Sequence, residues 1–135
     1  MKIALDEGAF FPSRAHKTDA GLDLYAMHSA VIPPCGHTMI ETGVHAEIPV
    51  GMVGLLTSKS GLMSKGITSR GTIDSGYTGS IKAVLYNHSH NCFQIEAGQK
   101  ITQMVILPII TPELEVVDSL EETDRADGGF GSSGK

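Results

Sequence analysis

Apolar residues along this chain come in short runs, and glycine or proline interrupts most of them. The clearest runs are His37-Thr-Met-Ile-Glu-Thr-Gly43, Val50-Gly-Met-Val-Gly-Leu-Leu56, Ser80-Ile-Lys-Ala-Val-Leu-Tyr86 and Ile101-Thr-Gln-Met-Val-Ile-Leu107. In the third, Ile81, Ala83 and Leu85 alternate with Ser80, Lys82 and Val84, the period of two expected of a half-buried strand. The 16 Gly and 6 Pro residues are spread along the chain and disfavour helix interiors. Residues 58–65 admit a turn or two of helix after a Ser cap, limited by Gly61. Short strands with turn signals between them predict an all-β sandwich or barrel. If 101–107 is a central strand, Gln103 is expected among inward-facing apolar residues, where its amide needs partners.

Composition narrows the class. A chain of 135 residues fits one domain with its own core. The net charge of −5 argues against nucleic-acid binding, which relies on Lys and Arg neutralising phosphates. A small anionic ligand would need a local cluster of donors or a metal ion. Cys35 and Cys92 read as reduced thiols, because a domain of this size needs no disulfide staple. No apolar h-region follows Met1-Lys2, and no run approaches the roughly 20 apolar residues of a membrane helix. A cytoplasmic protein without membrane contact is expected. The chain divides into a body, 1–123, and a Gly/Ser-rich arm, 124–135, too polar to order itself and expected to be mobile.

Four segments carry candidate chemistry. In Gly71-Thr-Ile-Asp-Ser-Gly-Tyr-Thr-Gly79 the glycines permit close approach to the main chain, Asp74 can orient a water or a hydroxyl, and Tyr77 can wall a pocket. By pattern alone, a plain hairpin with Asp at its turn is the stronger reading. Ser58-Lys-Ser-Gly-Leu62 offers hydroxyls and an ammonium to phosphate oxygens, or is simply a capped surface turn. Gly98-Gln-Lys-Ile-Thr-Gln103 brings Gln103 either to a structural partner or to a ligand. The arm carries Arg125, Phe130, Ser132 and Ser133, able to meet phosphates and a flat base, or else it is only a disordered tail. His88-Ser-His-Asn-Cys92 holds metal-ligand residue types, but its Asn and Ser residues read as a turn.

Leaving residues 88–92 aside, the other four segments, taken in order with Ala20-Gly-Leu-Asp-Leu-Tyr-Ala26 and with the arm read as Arg125-Ala-Asp-Gly-Gly-Phe-Gly-Ser-Ser-Gly134, resemble the five motifs of the trimeric dUTP pyrophosphatase family. They span nearly the whole chain, and the third and fifth are the most specific. The resemblance implies a jelly-roll β fold with a flexible C-terminal arm and a homotrimer with active sites shared between subunits. It implies hydrolysis of dUTP to dUMP and pyrophosphate with Mg²⁺, keeping uracil out of DNA and supplying dUMP for thymidylate synthesis. By the same resemblance, Asp74 is the catalytic carboxylate that positions water and meets the 3′-hydroxyl. Tyr77 stacks under the sugar, and the main chain of Thr72, Ile73 and Lys82 reads uracil. Lys59, Ser60, Gly61 and Gln103 belong to the phosphate side. Asp23 supports the metal through water, the metal itself being held mainly by substrate phosphates. Arg125, Ser132 and Ser133 reach the outer phosphates, with Phe130-Gly131 over the base.

Two departures stand out. The family carries Arg where this chain has Lys59, which keeps the charge but loses the bidentate fork. Thr102 stands where the family often has Ala, and the connection near Thr68 is short. A dCTP deaminase of the same fold is the nearest rival, but it needs a general acid/base Glu that the third motif lacks. A non-catalytic β domain is the other, and Asp23, Asp74, Gln103 and Arg125 argue against it.

Overall fold

The computed structural model describes residues 1–123, so the arm expected at 124–135 lies outside the described residues. Ten strands and one short helix follow in order: β1 (Ile3–Leu5), β2 (Leu22–Tyr25), β3 (Ala30–Ile32), β4 (His37–Glu41), β5 (Val44–Ala46), β6 (Met52–Ser58), α1 (Ser60–Met63), β7 (Ile67–Ile73), β8 (Lys82–Asn87), β9 (Phe93–Ile95) and β10 (Lys100–Pro108). The fold is the expected jelly-roll type of antiparallel β structure. Six strands join in the order β2-β10-β6-β7-β8-β4, flanked by the ribbons β1-β5 and β3-β9. No helix among the described residues is long and apolar enough to cross a membrane.

The predicted runs all contain strands, with shifted ends. β4 stops at Glu41 because Gly43 takes φ 65°, a left-handed turn that favours glycine. β6 starts at Met52, after a turn in which Met52 N–H donates to the Pro49 carbonyl and Gly51 takes φ 81°. The alternation in β8 holds: Ile81, Ala83 and Leu85 are buried while Lys82 is exposed.

Two apolar clusters fill the interior. One gathers Leu22, Leu24, Val44, Ile48, Leu56, Ile73, Ile81 and Met104. The other gathers Ile32, Ile40, Leu62, Ile67, Leu85, Ile95 and Ile101. Four residues are too few for α1 to stand on helix propensity. Its buried residue is Leu62, whose transfer from water contributes about 2 kcal/mol. The expected Ser cap is absent: Lys59 occupies the N-cap and makes no side-chain cap bond.

Gln103 departs from expectation. β10 is central, but its amide shares a face with Asp23 and Thr57, its partners in register, while Met104 points into the core. A one-residue offset in a strand reverses the face, so an apolar run cannot reveal which of its members is the polar-face residue.

Candidate active site

The third motif joins β7 to β8. The two strands pair from Ile67–Asn87 to Ser69–Leu85 and then part. Beyond that point β7 stays with β6 through Ile73, and β8 stays with β4 through Lys82. The facing edges of residues 70–73 and 82–84 thus lack a shared ladder. Unpaired backbone donors and acceptors at such an opening are available to a flat hydrogen-bonding ligand.

The connection itself is braced. Tyr77 N–H donates to the Asp74 carbonyl (3.0 Å), and the Tyr77 hydroxyl donates to the Ser80 carbonyl (2.9 Å). A Cβ at Gly79 would collide with the Tyr77 ring, so glycine is what lets the ring lie there. Ile81 N–H donates to Val44, and the Ile81 carbonyl accepts from the Thr42 amide and hydroxyl. Tyr77 remains 43% exposed, leaving ring surface for a ligand. The Asp74 carboxylate is exposed and has no partner among the described residues. Gly76 needs neither a positive φ nor clearance from the chain, so the space above it is open.

The second cluster lies on the polar face of β2-β10-β6. Asp23 is 3% exposed and accepts from two lysines, Lys59 on one oxygen and Lys100 on the other (2.8 Å). Burial pushes its carboxyl upward, but the hydrogen bonds and charges of Lys100 and Lys59 outweigh that and hold it below the usual carboxylate value. The same contact raises the Lys100 ammonium above the usual lysine value. Gln103 donates to the Ser58 carbonyl (3.2 Å) and lies against Gly21, where any Cβ would strike its amide. A groove lined by Asp19, Gly21, Asp23, Lys59, Lys100 and Gln103 runs beside them. Ser60 and Gly61 are exposed at the start of α1, with open space over Gly61 and no partner for the Ser60 hydroxyl among the described residues.

The structure therefore gathers Asp23, Lys59 and Gln103, with Ser60 and Gly61 adjoining, and separately gathers Thr72, Ile73, Asp74 and Tyr77. It does not bring the two groups together in one chain. Arg70 is in register with Thr57, and Thr57 with Gln103. Asp74 lies four residues past Arg70, about 13 Å along the strand, and two strand spacings across, so it stands about 16 Å from Gln103. The Lys82 ammonium pairs with Glu41 (2.8 Å), which leaves only its main chain for the cleft. Arg125, Phe130, Gly131, Ser132 and Ser133 lie outside the described residues.

Lys100 was not legible as a site residue, because its link to Asp23 depends on the irregular register between β10 and β2. Thr102 finds a reason in the core. Its hydroxyl is fully buried, donates to the Thr57 carbonyl (2.9 Å) and meets the Ser69 hydroxyl (2.8 Å). Residues 88–92 form the expected turn between β8 and β9. His88 meets Thr68 there and His90 meets Cys35, and no three His, Cys, Asp or Glu side chains among the described residues converge on a metal position.

The dUTPase family model matches residues 8–134. The deoxyuridine 5′-triphosphate nucleotidohydrolase of Clostridium tetani is 44% identical over 140 residues, covering 100% of this chain and 97% of that protein. The Saccharomyces cerevisiae protein of the same name is 41% identical, covering 99% and 94%. Among solved structures, the Staphylococcus bacteriophage 80alpha dUTPase with dUPNHPP superposes with a TM-score of 0.91 at 35% identity, covering 99% of this chain and 98% of that one. A phage phi11 dUTPase variant, described as revealing the coordination of a structural Mg(II) ion, superposes with a TM-score of 0.81 at 35% identity, covering 90% and 98%.

Proposed function

The chain belongs to the dUTPase family, and from that premise we propose that it hydrolyses dUTP to dUMP and pyrophosphate at a site shared between copies of itself, with Asp74 as the catalytic carboxylate. The observation that carries the shared site is the separation of Asp74 from Gln103. A carboxylate that orients the attacking water and an amide that grips the phosphates must both lie within a few Å of one phosphorus. Some 16 Å apart on one chain, they meet at one substrate when Gln103, Ser60 and Lys59 come from a second copy.

A homotrimer is the expected assembly, closed by rotational symmetry with three equivalent sites. The segment after β10 supports association. Ile110, Leu114, Val116 and Leu120 are 85–98% exposed across a stretch with no strand of its own, an apolar surface that suits a neighbouring copy. A cytoplasmic location, where a free nucleotide is met, belongs to the same proposal.

In this reading uracil enters where β7 and β8 part, and the main chain of Thr72, Ile73 and Lys82 reads its edge. Cytosine reverses a donor and an acceptor there and leaves a buried polar group mispaired, at a cost of about 1–3 kcal/mol. Tyr77, pinned by Ser80, walls the sugar and excludes a ribose 2′-hydroxyl. Asp74 holds the water and takes its proton as the bond to the α-phosphorus forms and pyrophosphate leaves. Arg125, Ser132 and Ser133 meet the outer phosphates, and Phe130 with Gly131 covers the base.

The donor set suits a cation carried by the triphosphate more than one held by the chain. No cluster of ligating side chains exists among the described residues, and both Asp23 oxygens already accept lysine protons, so Asp23 would meet Mg²⁺ through water. Mg²⁺, when bound, supplies neutralisation of charge on the leaving pyrophosphate. The test is pyrophosphate release from dUTP, UTP, dTTP and dCTP, with and without Mg²⁺. Turnover confined to dUTP supports the reading, whereas ammonia release from dCTP would replace it with a deaminase.

A further inference from the structure

His45, on β5, touches both the N-terminal segment and the catalytic connection. Its Nδ1 lies 2.8 Å from the Thr78 carbonyl, and its Nε2 lies 3.1 Å from Asp6 Oδ1. A carbonyl oxygen only accepts, and an ionised carboxylate only accepts. Both ring nitrogens must therefore carry protons for both bonds to exist, which only the imidazolium does. Asp6 is itself fixed, its amide donating to the Gly43 carbonyl (2.9 Å). Thr78 directly follows Tyr77 and lies four residues after Asp74.

We propose that the His45 imidazolium is a positioning residue that clamps the Asp74–Tyr77 connection in its nucleotide-binding geometry and releases it on deprotonation. The proposal rests on the reading of that connection as the uracil-deoxyribose site. The Tyr77 bonds lie within the connection, the Ile81 bonds anchor its β8 end to Val44 and Thr42, and His45 ties its middle to β5. The charged groups around the imidazole are few. Lys2 just before β1, Asp6 just after it and Glu47 just after β5 are the charged side chains there, Glu47 pairing with Lys2 (3.1 Å). The connection presents the uncharged Thr78 carbonyl, and its own ionisable residues are Asp74 and Tyr77. The Thr78 bond, followed by the Asp6 bond, raises the imidazole above its ordinary 6.5. The clamp is therefore complete below 6.5 and lost as pH rises through the raised value.

The test uses the full chain and the analogue dUPNHPP. NMR follows the His45 ring and the exchange of the Thr78 and Gly79 amides from about pH 5.5 to about 9. Calorimetry follows dUPNHPP affinity over the same range in wild type, His45→Gln and His45→Asn. Because the triphosphate also titrates, the variants isolate the share due to His45. Wild-type affinity should fall about fivefold or more as pH passes the His45 midpoint. His45→Gln and His45→Asn, neither of which titrates, should both lack that step, with His45→Asn, which keeps a donor toward Thr78, holding at every pH the tighter binding of the two. An identical pH step in wild type and His45→Gln overturns the proposal, as does Thr78 exchange that ignores the His45 midpoint. Failure of wild type to bind dUPNHPP at any pH would instead sink the dUTP reading and leave the amide result to judge the clamp.

Discussion

Asp74 and Gln103 belong to one chain yet stand about 16 Å apart, Asp74 lying just past the end of β7, four residues beyond Arg70, and two strands across from Gln103. Asp74 is exposed and Gln103 lines the groove beside Asp23, so neither can serve the other within a single chain. This relationship turns a catalytic reading into a claim about assembly.

Asp74→Asn tests the chemistry apart from binding. The amide keeps the shape and can still meet a sugar hydroxyl, but it cannot take a proton from water. Affinity for dUPNHPP should change little, and turnover should fall by about 100-fold or more. Undiminished turnover would remove Asp74 from the mechanism.

Tyr77→Ala tests the sugar wall. It also deletes the bond to Ser80 and uncovers Gly79. The ratio of kcat/KM for dUTP over UTP should drop, while Tyr77→Phe, which loses only the hydroxyl at about 1 kcal/mol, should hold most of it. Equal ratios in Tyr77→Ala and wild type would assign discrimination to another group.

Asp23 sets an acid limit on stability. Its folded carboxyl lies below the ordinary 3.8, so its contribution is present above 3.8 and is lost as pH falls through the lower folded value. Asp23→Asn should cost about 2 kcal/mol at neutral pH, measured by denaturant unfolding, and should flatten the loss on acidification. A loss of the same steepness in the variant would point to other carboxylates.

How far the sequence could be read follows from the range of each interaction. The β8 alternation at Ile81, Ala83 and Leu85 is local, and it appears in the fold as expected. Strands β1, β3, β5 and β9 have three residues each, too few for a period to show. Ser60 and Gly61 are legible because Ser-Gly is a short motif, whereas the Asp23–Lys59 pair joins residues 36 apart in sequence and the His45–Thr78 bond residues 33 apart. Such pairs exist only once the strands are in register. The Lys59 departure gains meaning the same way: a single ammonium suffices to meet one Asp23 oxygen while Lys100 meets the other.

The shared site is tested most directly by complementation between Asp74→Asn and Gln103→Ala, each checked for an intact oligomer and each inactive alone. The two chains are unfolded together, refolded in equal amounts and assayed for pyrophosphate release from dUTP. If Asp74 and Gln103 at each site come from different copies, random mixing restores about a quarter of wild-type activity, because one site in four pairs two intact halves. If one chain supplied both residues, every site would carry a lesion, and a mixture as inactive as its parents would contradict the account.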